Sequence, residues 1–502
     1  MSQEIFLRGL GSCVFSFIMA WLVFSRYNRE MGRESTETGS ERAETDGQKY
    51  LPYIPGSLLP LYLLLLLVLE TVFCGITGAA KSVLSVCFGI FLHISVYYFI
   101  LMLVLPFVRK HISARACAML WVLPNYLYIT LQSYMRLPRP LLVLSAPGNL
   151  VWILFGIWFV GFFVVLTGKT LQHLAFHRQI LRDAVPVTDL EILSAWEEAI
   201  EEAQIKKPKF KLVASPHVRT PLSVGLFRRT MRVVLPQKDY EPEELSLILK
   251  HEIIHIARED SWTKYFLVFC TAMCWFNPLM WIAMKKSAED MELSCDETVL
   301  LDADAGTRKK YAALLLDTAG DDRGFTTCLS ASASAMRYRL KSIVKPVKRR
   351  SGALIVGLVF FLLCMTSGYV SLVYGGATGA EIIYQSGDYS GYHLWSVGKG
   401  EGGYSDAGID LSIAYDFTDE AAFHEYLAGL TLSEFTGNYS FSKSSTEFIY
   451  LLDTPDGLLG IDLCDNYIKL TYFAEDYKQT GYYITEGVDW EYLGTVIVGR
   501  EE

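Results

Sequence analysis

The chain has 502 residues, 51% of them apolar and 20% charged. A soluble domain carries about a quarter charged residues, so composition and length together exclude a single soluble domain. The formal net charge of −9 joins two unlike parts: 5 basic and 22 acidic residues from Ala377 onward (−17), and 40 basic and 32 acidic residues before it (+8). Such a split suggests two compartments and no direct nucleic-acid binding.

In chain order, six apolar stretches read as membrane helices: about 5–25, 57–78, 82–108, 116–135, 149–168 and 353–374. Pro124-Asn125 makes the fourth the weakest. The first has only Arg8 before it and no small-residue cleavage site after it, so an anchor is expected rather than a secretion signal. Arg26, Arg29, Arg33, Arg42 and Lys49 follow the first span, and Arg109, Lys110 and Arg115 the third. Lys169, Arg178 and Arg182 follow the fifth, and Lys341, Lys345, Lys348, Arg349 and Arg350 precede the sixth. The other connections hold little beyond Lys81, or Arg136 and Arg139. Under the positive-inside rule this predicts an outside N-terminus, a cytosolic segment 169–352 and an outside acidic C-terminal domain. The polar stretch 30–48 reads as a disordered cytosolic loop.

The predicted parts are an N-terminal pair of spans with its loop (1–81), a three-span core (82–168), the cytosolic segment (169–352), a last span (353–374) and the outer domain (375–502). Within the cytosolic segment, Lys211–Ser215 and Arg232–Pro236 read as short strands, and the second is a candidate edge for pairing with an extended substrate. The connection between them, Pro216 to Met231, reads as a loop. Pro242, Glu243 and Glu244 announce a helix. That helix carries His251-Glu252-Ile253-Ile254-His255, with two histidines four apart on one face where both imidazoles can ligate one Zn²⁺. Glu252 between them is placed to hold and deprotonate a water. A catalytic zinc needs three protein ligands and an open position. Glu292, 37 residues past His255, is the natural third, and Asp296 one turn on could orient a ligating histidine. Asp260 could do the same, or serve as a helix-end ion pair. His217, Arg258 and several tyrosines are unranked candidates for the oxyanion donor.

The run 265–284 is long enough to span. If the histidines and Glu292 share a metal, however, both its ends lie on one side, and Asn277-Pro278 breaks it near the middle. It reads as a helical hairpin or core helix. None of the ten cysteines shows C-x-x-C spacing, so a cysteine-based zinc site is not expected. The C-terminal domain holds only Cys464 and can form no internal disulfide.

Ser215-Pro-His-Val-Arg-Thr-Pro221, Val224-Gly225-Leu226, Val233-Val-Leu-Pro236, the H-E-I-I-H helix, Trp275-Phe-Asn-Pro278 and Glu292-x-x-Cys295-Asp296-Glu297-x-Val299-Leu300 occur in this order. Together they resemble the membrane metallopeptidase of the beta-lactam-sensing transducer family (BlaR/MecR type), over roughly 82–375. The resemblance implies a multi-span α-helical membrane protein with a cytosolic, mainly α (α+β), gluzincin-like zinc peptidase and an extracellular C-terminal sensor, which the pattern of this chain makes small and mostly β. It implies His251, His255 and Glu292 as Zn²⁺ ligands and Glu252 as the catalytic glutamate. It further implies a bacterial plasma-membrane location, self-cleavage, action on a cytosolic protein such as a winged-helix repressor, and an extracellular ligand whose nature is open.

Two features depart from that family. The first two spans are additional. The outer domain, about half the length a penicillin-binding fold needs, has Ser440-Phe-Ser-Lys443 but neither S-D-N nor K-T-G. No nucleophile is expected there. Its alternating pattern, 14 tyrosines and turn signals read as an antiparallel β domain with one helix near Glu420–Ala428. The rival readings are a CAAX or quality-control membrane protease and a non-proteolytic receptor with structural zinc.

Overall fold

Gly and Pro positions, capping residues and changes of apolar period set most element boundaries in the computed structural model. It describes residues 3–30, 58–129, 140–146, 149–205, 208–226, 229–318, 333–345, 349–385, 389–399, 415–435, 448–454, 457–464, 466–473 and 478–499. Most of the loop 30–48, Ser440, Lys443 and Ser330–Ser332 lie outside them. The elements are α1 (Gln3–Glu30), α2 (Leu58–Val108), α3 (Ala114–Val122), β1 (Leu142–Ala146), α4 (Leu150–Leu181), β2 (Val185–Pro186), α5 (Leu190–Glu202), β3 (Lys211–Ser215), β4 (Leu222–Val224), β5 (Arg232–Pro236), α6 (Pro242–Ala257), α7 (Asp260–Met273), α8 (Pro278–Val299), α9 (Ala305–Thr318) and α10 (Ala333–Val344). Then follow α11 (Ala353–Thr366), β6 (Val370–Thr378), α12 (Gly379–Ile382), β7 (His393–Lys399), β8 (Tyr415–Phe417), α13 (Glu420–Gly429), β9 (Thr431–Phe435), β10 (Phe448–Thr454), β11 (Gly457–Cys464), β12 (Tyr467–Phe473), β13 (Lys478–Ile484), α14 (Trp490–Val496) and β14 (Ile497–Gly499). They form two units, one of residues 1–66, 91–129 and 159–365, the other of 67–90, 130–158 and 366–502.

Three helical stretches are long and apolar enough to cross a membrane: Arg8–Glu30, Cys87–Val108 and Leu150–Leu181. Leu59–Phe73 and Ala353–Thr366 are apolar but shorter. Three expectations shift here. The 57–78 and 82–108 stretches run together as α2, and the break falls at Gly75 (φ 73°, ψ 177°), a conformation open to glycine alone, rather than at a turn near Lys81. As far as Ile129, where the described residues pause, the 116–135 stretch is the nine-residue α3 followed by a 3₁₀ turn, Leu123–Ile129, since Pro124 interrupts the α ladder. The side chains of Ala116–Tyr128 are buried within the unit. The 353–374 stretch is helical only to Thr366, about 21 Å; Gly368 (φ 87°) then turns the chain into β6.

In the first unit a four-stranded sheet of order β2-β3-β5-β4 backs the helices. The connection 216–231 is not simply a loop: it contains β4, which pairs antiparallel with β5, while β3 pairs parallel with β5. Lying between two neighbours, β5 has no free edge for a substrate. Leu249, Ile253 and Ile254 of α6, Val233 and Leu235 of β5, and Cys295 and Val299 of α8 share one core. The apolar run 265–284 is split between α7 and α8, and Asn277 caps α8 by accepting from the Leu279 amide at 3.0 Å. Close approach is bought by small residues: a Cβ on Gly357 would lie 2.9 Å from the Ala20 methyl, and one on Gly161 would lie 2.2 Å from the Trp275 indole.

In the second unit, eight strands run β1-β6-β9-β13-β12-β11-β10-β7, with only β1 and β6 parallel; β14 and β8 form a separate pair. Leu459, Ile461 and Leu463, two apart on β11, enter a core with Phe423 and Leu427 of α13. Tyr384 and Tyr450 are core residues here, so part of the tyrosine content packs rather than binds.

Replacing Gly161 by alanine should gain about 1 kcal/mol of helix propensity but cost about 1–3 kcal/mol of overpacking against Trp275. We expect a lower Tm for the full chain in detergent; a rise would contradict the packing described.

Candidate metal centre

Helix α6 starts at Pro242, whose missing amide hydrogen costs nothing in a first turn, and Glu243 and Glu244 complement the helix dipole there. Its i, i+4 spacing brings the His251 and His255 Nε2 atoms to 3.0 Å. Glu259 then takes a left-handed conformation (φ 55°), so α7 begins two residues after α6 ends. This reversal returns Asp260 to His255, with Oδ2 2.6 Å from Nδ1. Helix α8 adds Glu292, whose Oε2 lies 3.8 Å from His251 Nε2 and 3.5 Å from His255 Nε2.

The hydrogen-bond partners assign protons to the outer ring nitrogens. The Tyr311 hydroxyl donates to Asp296 Oδ1 at 2.8 Å and therefore accepts from His251 Nδ1, also at 2.8 Å. Asp260 accepts from His255 Nδ1. Both Nε2 lone pairs then face each other, and the pair needs one positive centre between them, a proton or a metal ion. Glu292 Oε2 stands at a third corner. These residues fit a metal.

Asp296 therefore acts on His251 through Tyr311; its direct separation from Nδ1 is 3.8 Å. Arg339 of α10 grips Asp296 with two bonds of 2.7 and 2.8 Å. Lys264 of α7 donates to Glu292 Oε1 at 2.9 Å. Glu252 is buried, and its Oε2 has no hydrogen-bond partner among the described residues. An orphaned buried carboxylate oxygen is costly and calls for a role. Cysteine enters the site after all: Cys295 Sγ and the two imidazoles lie within 4.8 Å of one another. Of the oxyanion candidates, His217 bonds Asp183 at 2.6 Å. Arg258 is fully buried and held by Glu30 of α1, by Ser294 and by Thr298, while Tyr311 lies on the Nδ1 side of His251.

Charge is expensive in such a site, yet the members sustain it. Burial opposes ionisation of Glu292, but Lys264 and His255 hold its carboxyl well below the usual range. Burial likewise disfavours charged imidazoles, but Cys295 and Glu292 push His251 up to about 10 and His255 well above its ordinary value. Burial would raise the Cys295 thiol; the two histidines bring it down. A field that favours a proton on this pair also favours a divalent cation.

Sequence reasoning missed Lys264, Cys295, Tyr311 and Arg339. Lys264 had a faint signal, a lone cation one turn past Asp260 at the mouth of an apolar run. Tyr311 and Arg339 had none, lying on later helices with no spacing relation to the motif.

A helical membrane protein with a buried histidine pair and an adjacent carboxylate is built as a metallopeptidase is built. Residues 138–343 match the model of the family described as BlaR1 peptidase M56. The chain is 30% identical over 199 residues to the regulatory protein BlaR1 of Bacillus licheniformis, covering 39% of this chain and 31% of that protein. It is 26% identical over 160 residues to the methicillin resistance mecR1 protein of Staphylococcus aureus, covering 30% and 26%, and matches the Staphylococcus epidermidis protein of that name to the same extent. The chain thus aligns with about a third or less of each relative. Through residues 138–343 the chain is similar to the BlaR/MecR-type peptidases.

Because Asp260 and Tyr311 fix the ring tautomers, Asp260→Ala and Tyr311→Phe should each weaken metal retention about 10–100-fold. Chelator competition on the purified chain measures this; affinities equal to wild type would remove both residues from the supporting role.

Proposed function

We propose that this chain is a zinc metalloendopeptidase that works as a membrane sensor-transducer, with His251, His255 and Glu292 as zinc ligands and Glu252 as the catalytic base. The observation that carries this reading is the pair of facing Nε2 lone pairs with Glu292 beside them. The unpartnered Glu252 oxygen favours a catalytic over a purely structural metal, which has no use for it. Bound zinc would supply Lewis acidity towards water and the scissile carbonyl. Glu252 takes the water proton on its free oxygen and delivers it to the leaving amine. Lys264 fixes Glu292, Asp260 and Tyr311 fix the rings, and Arg339 fixes Asp296, so the groups enter the reaction already oriented.

We assign residues 169–352 to the cytosol and 375–502 to the outside, on the strength of the basic flanks. The relatives' names, "regulatory protein" and "methicillin resistance", favour an output in gene control. The substrates on this reading are the chain itself and a cytosolic protein such as a transcriptional repressor. The acidic outer domain is the sensor of an extracellular ligand.

Glu252→Gln keeps the metal donors and removes the base. We expect full zinc content with self-cleavage slowed about 10²–10⁴-fold, read by fragment appearance on gels. Processing at the wild-type rate in that variant would sink the peptidase reading.

A further inference from the structure

Helix α6 carries two donors and helix α8 two more, and the peptidase reading uses three of the four. His251 and His255 stand one turn apart on α6; Glu292 and Cys295 stand one turn apart on α8. Cys295 is fully buried, and its sulfur lies within 4.8 Å of the ligating atoms of both histidines. Glu292, the other anion, shares its charge with Lys264 at 2.9 Å. We propose that the Cys295 sulfur is a fourth protein ligand, so that the resting metal site is closed and becomes competent when the sulfur leaves.

The inference rests on the metal-centre reading above and goes beyond it. A zinc with four protein ligands has the constitution of a structural site, whereas a catalytic one keeps a position for water. With Cys295 bound, Glu252 has no water to act on. The sulfur is also the donor built to depart. His255 is anchored by Asp260, His251 by Tyr311 and Glu292 by Lys264, whereas Cys295 faces the two imidazoles themselves and adds a long 3.6 Å contact to the His251 carbonyl. The exchange involves no redox step: the thiol proton goes to solvent on coordination and returns to sulfur on release.

The test uses the full chain in detergent, stripped and reloaded with Co²⁺ or Zn²⁺. Cobalt-loaded wild type should show a sulfur-to-cobalt charge-transfer band in the near ultraviolet, and Cys295→Ser should lose that band while keeping visible d–d absorption. X-ray absorption of the zinc-loaded wild type, which needs no variant to fold, should show one sulfur at about 2.3 Å. Cobalt bound with d–d absorption and no charge-transfer band, or a zinc shell of nitrogen and oxygen only, overturns the proposal and leaves the histidine site standing. Metal uptake unaltered by His251→Ala overturns both. Cys295→Ala at unchanged metal content should self-cleave faster than wild type; an equal or slower rate overturns the closing role.

Discussion

Two imidazole nitrogens 3.0 Å apart, in a site nearly free of water, demand a positive centre between them, and much of the first unit exists to keep that demand in place. Every group that could relax it is held. Asp260 and Tyr311 occupy the outer nitrogens, so neither ring can turn its proton inward. Lys264 holds Glu292, and Arg339 holds Asp296. Each of these ion pairs carries a desolvation penalty that its Coulomb attraction does little more than repay. Apolar residues of the same size would fold at least as well. The pairs are therefore explained by the geometry they impose on the histidines.

The same logic explains which parts of the site could be read from the chain. The H-E-x-x-H and E-x-x-x-D spacings place residues on shared helix faces, and helical periodicity is local, so His251, His255, Glu252, Glu292 and Asp296 were all legible. Asp260 was half legible, because its role depends on the left-handed Glu259 turn, which no strong residue preference announces. Tyr311 and Arg339 reach Asp296 through tertiary packing across 15 and 43 residues of sequence, and no pattern foretells that. Cys295 was overlooked for another reason. Cysteine metal sites show in a sequence through the spacing of cysteines from one another, and a lone sulfur in a mixed donor set has no such spacing.

Membrane boundaries were the less legible part of the fold, since apolar run length measures hydrophobicity and not conformation. Residues 353–374 form one continuous apolar pattern, but the helix stops at Thr366 and Val370–Tyr374 become a buried strand whose pairing satisfies the same residues. Residues 116–128 mislead in the opposite sense: their apolar side chains are buried against protein within their unit. Strand β4 escaped notice because three residues after a proline carry too little pattern. Finding it removed β5 from consideration as a substrate edge, a position that sequence order alone had suggested.

Glu30 joins the metal site to a helix that the family resemblance does not include. It ends α1, one of the two additional N-terminal segments, and its carboxylate binds both Arg115 and Arg258 in buried contacts. Arg258 caps the helix of the histidines three residues past His255 and also bonds Ser294 and Thr298 on either side of Cys295 and Asp296. One guanidinium thus fastens α6 to α8 at the level of the donors, and one carboxylate from α1 holds that guanidinium. Removing a partner from such a buried pair typically costs about 3–5 kcal/mol, comparable to much of a domain's net stability. The first helix is therefore part of the framework that keeps the two donor-bearing helices in register, and a shift along its axis would reach the histidine helix through a single ion pair.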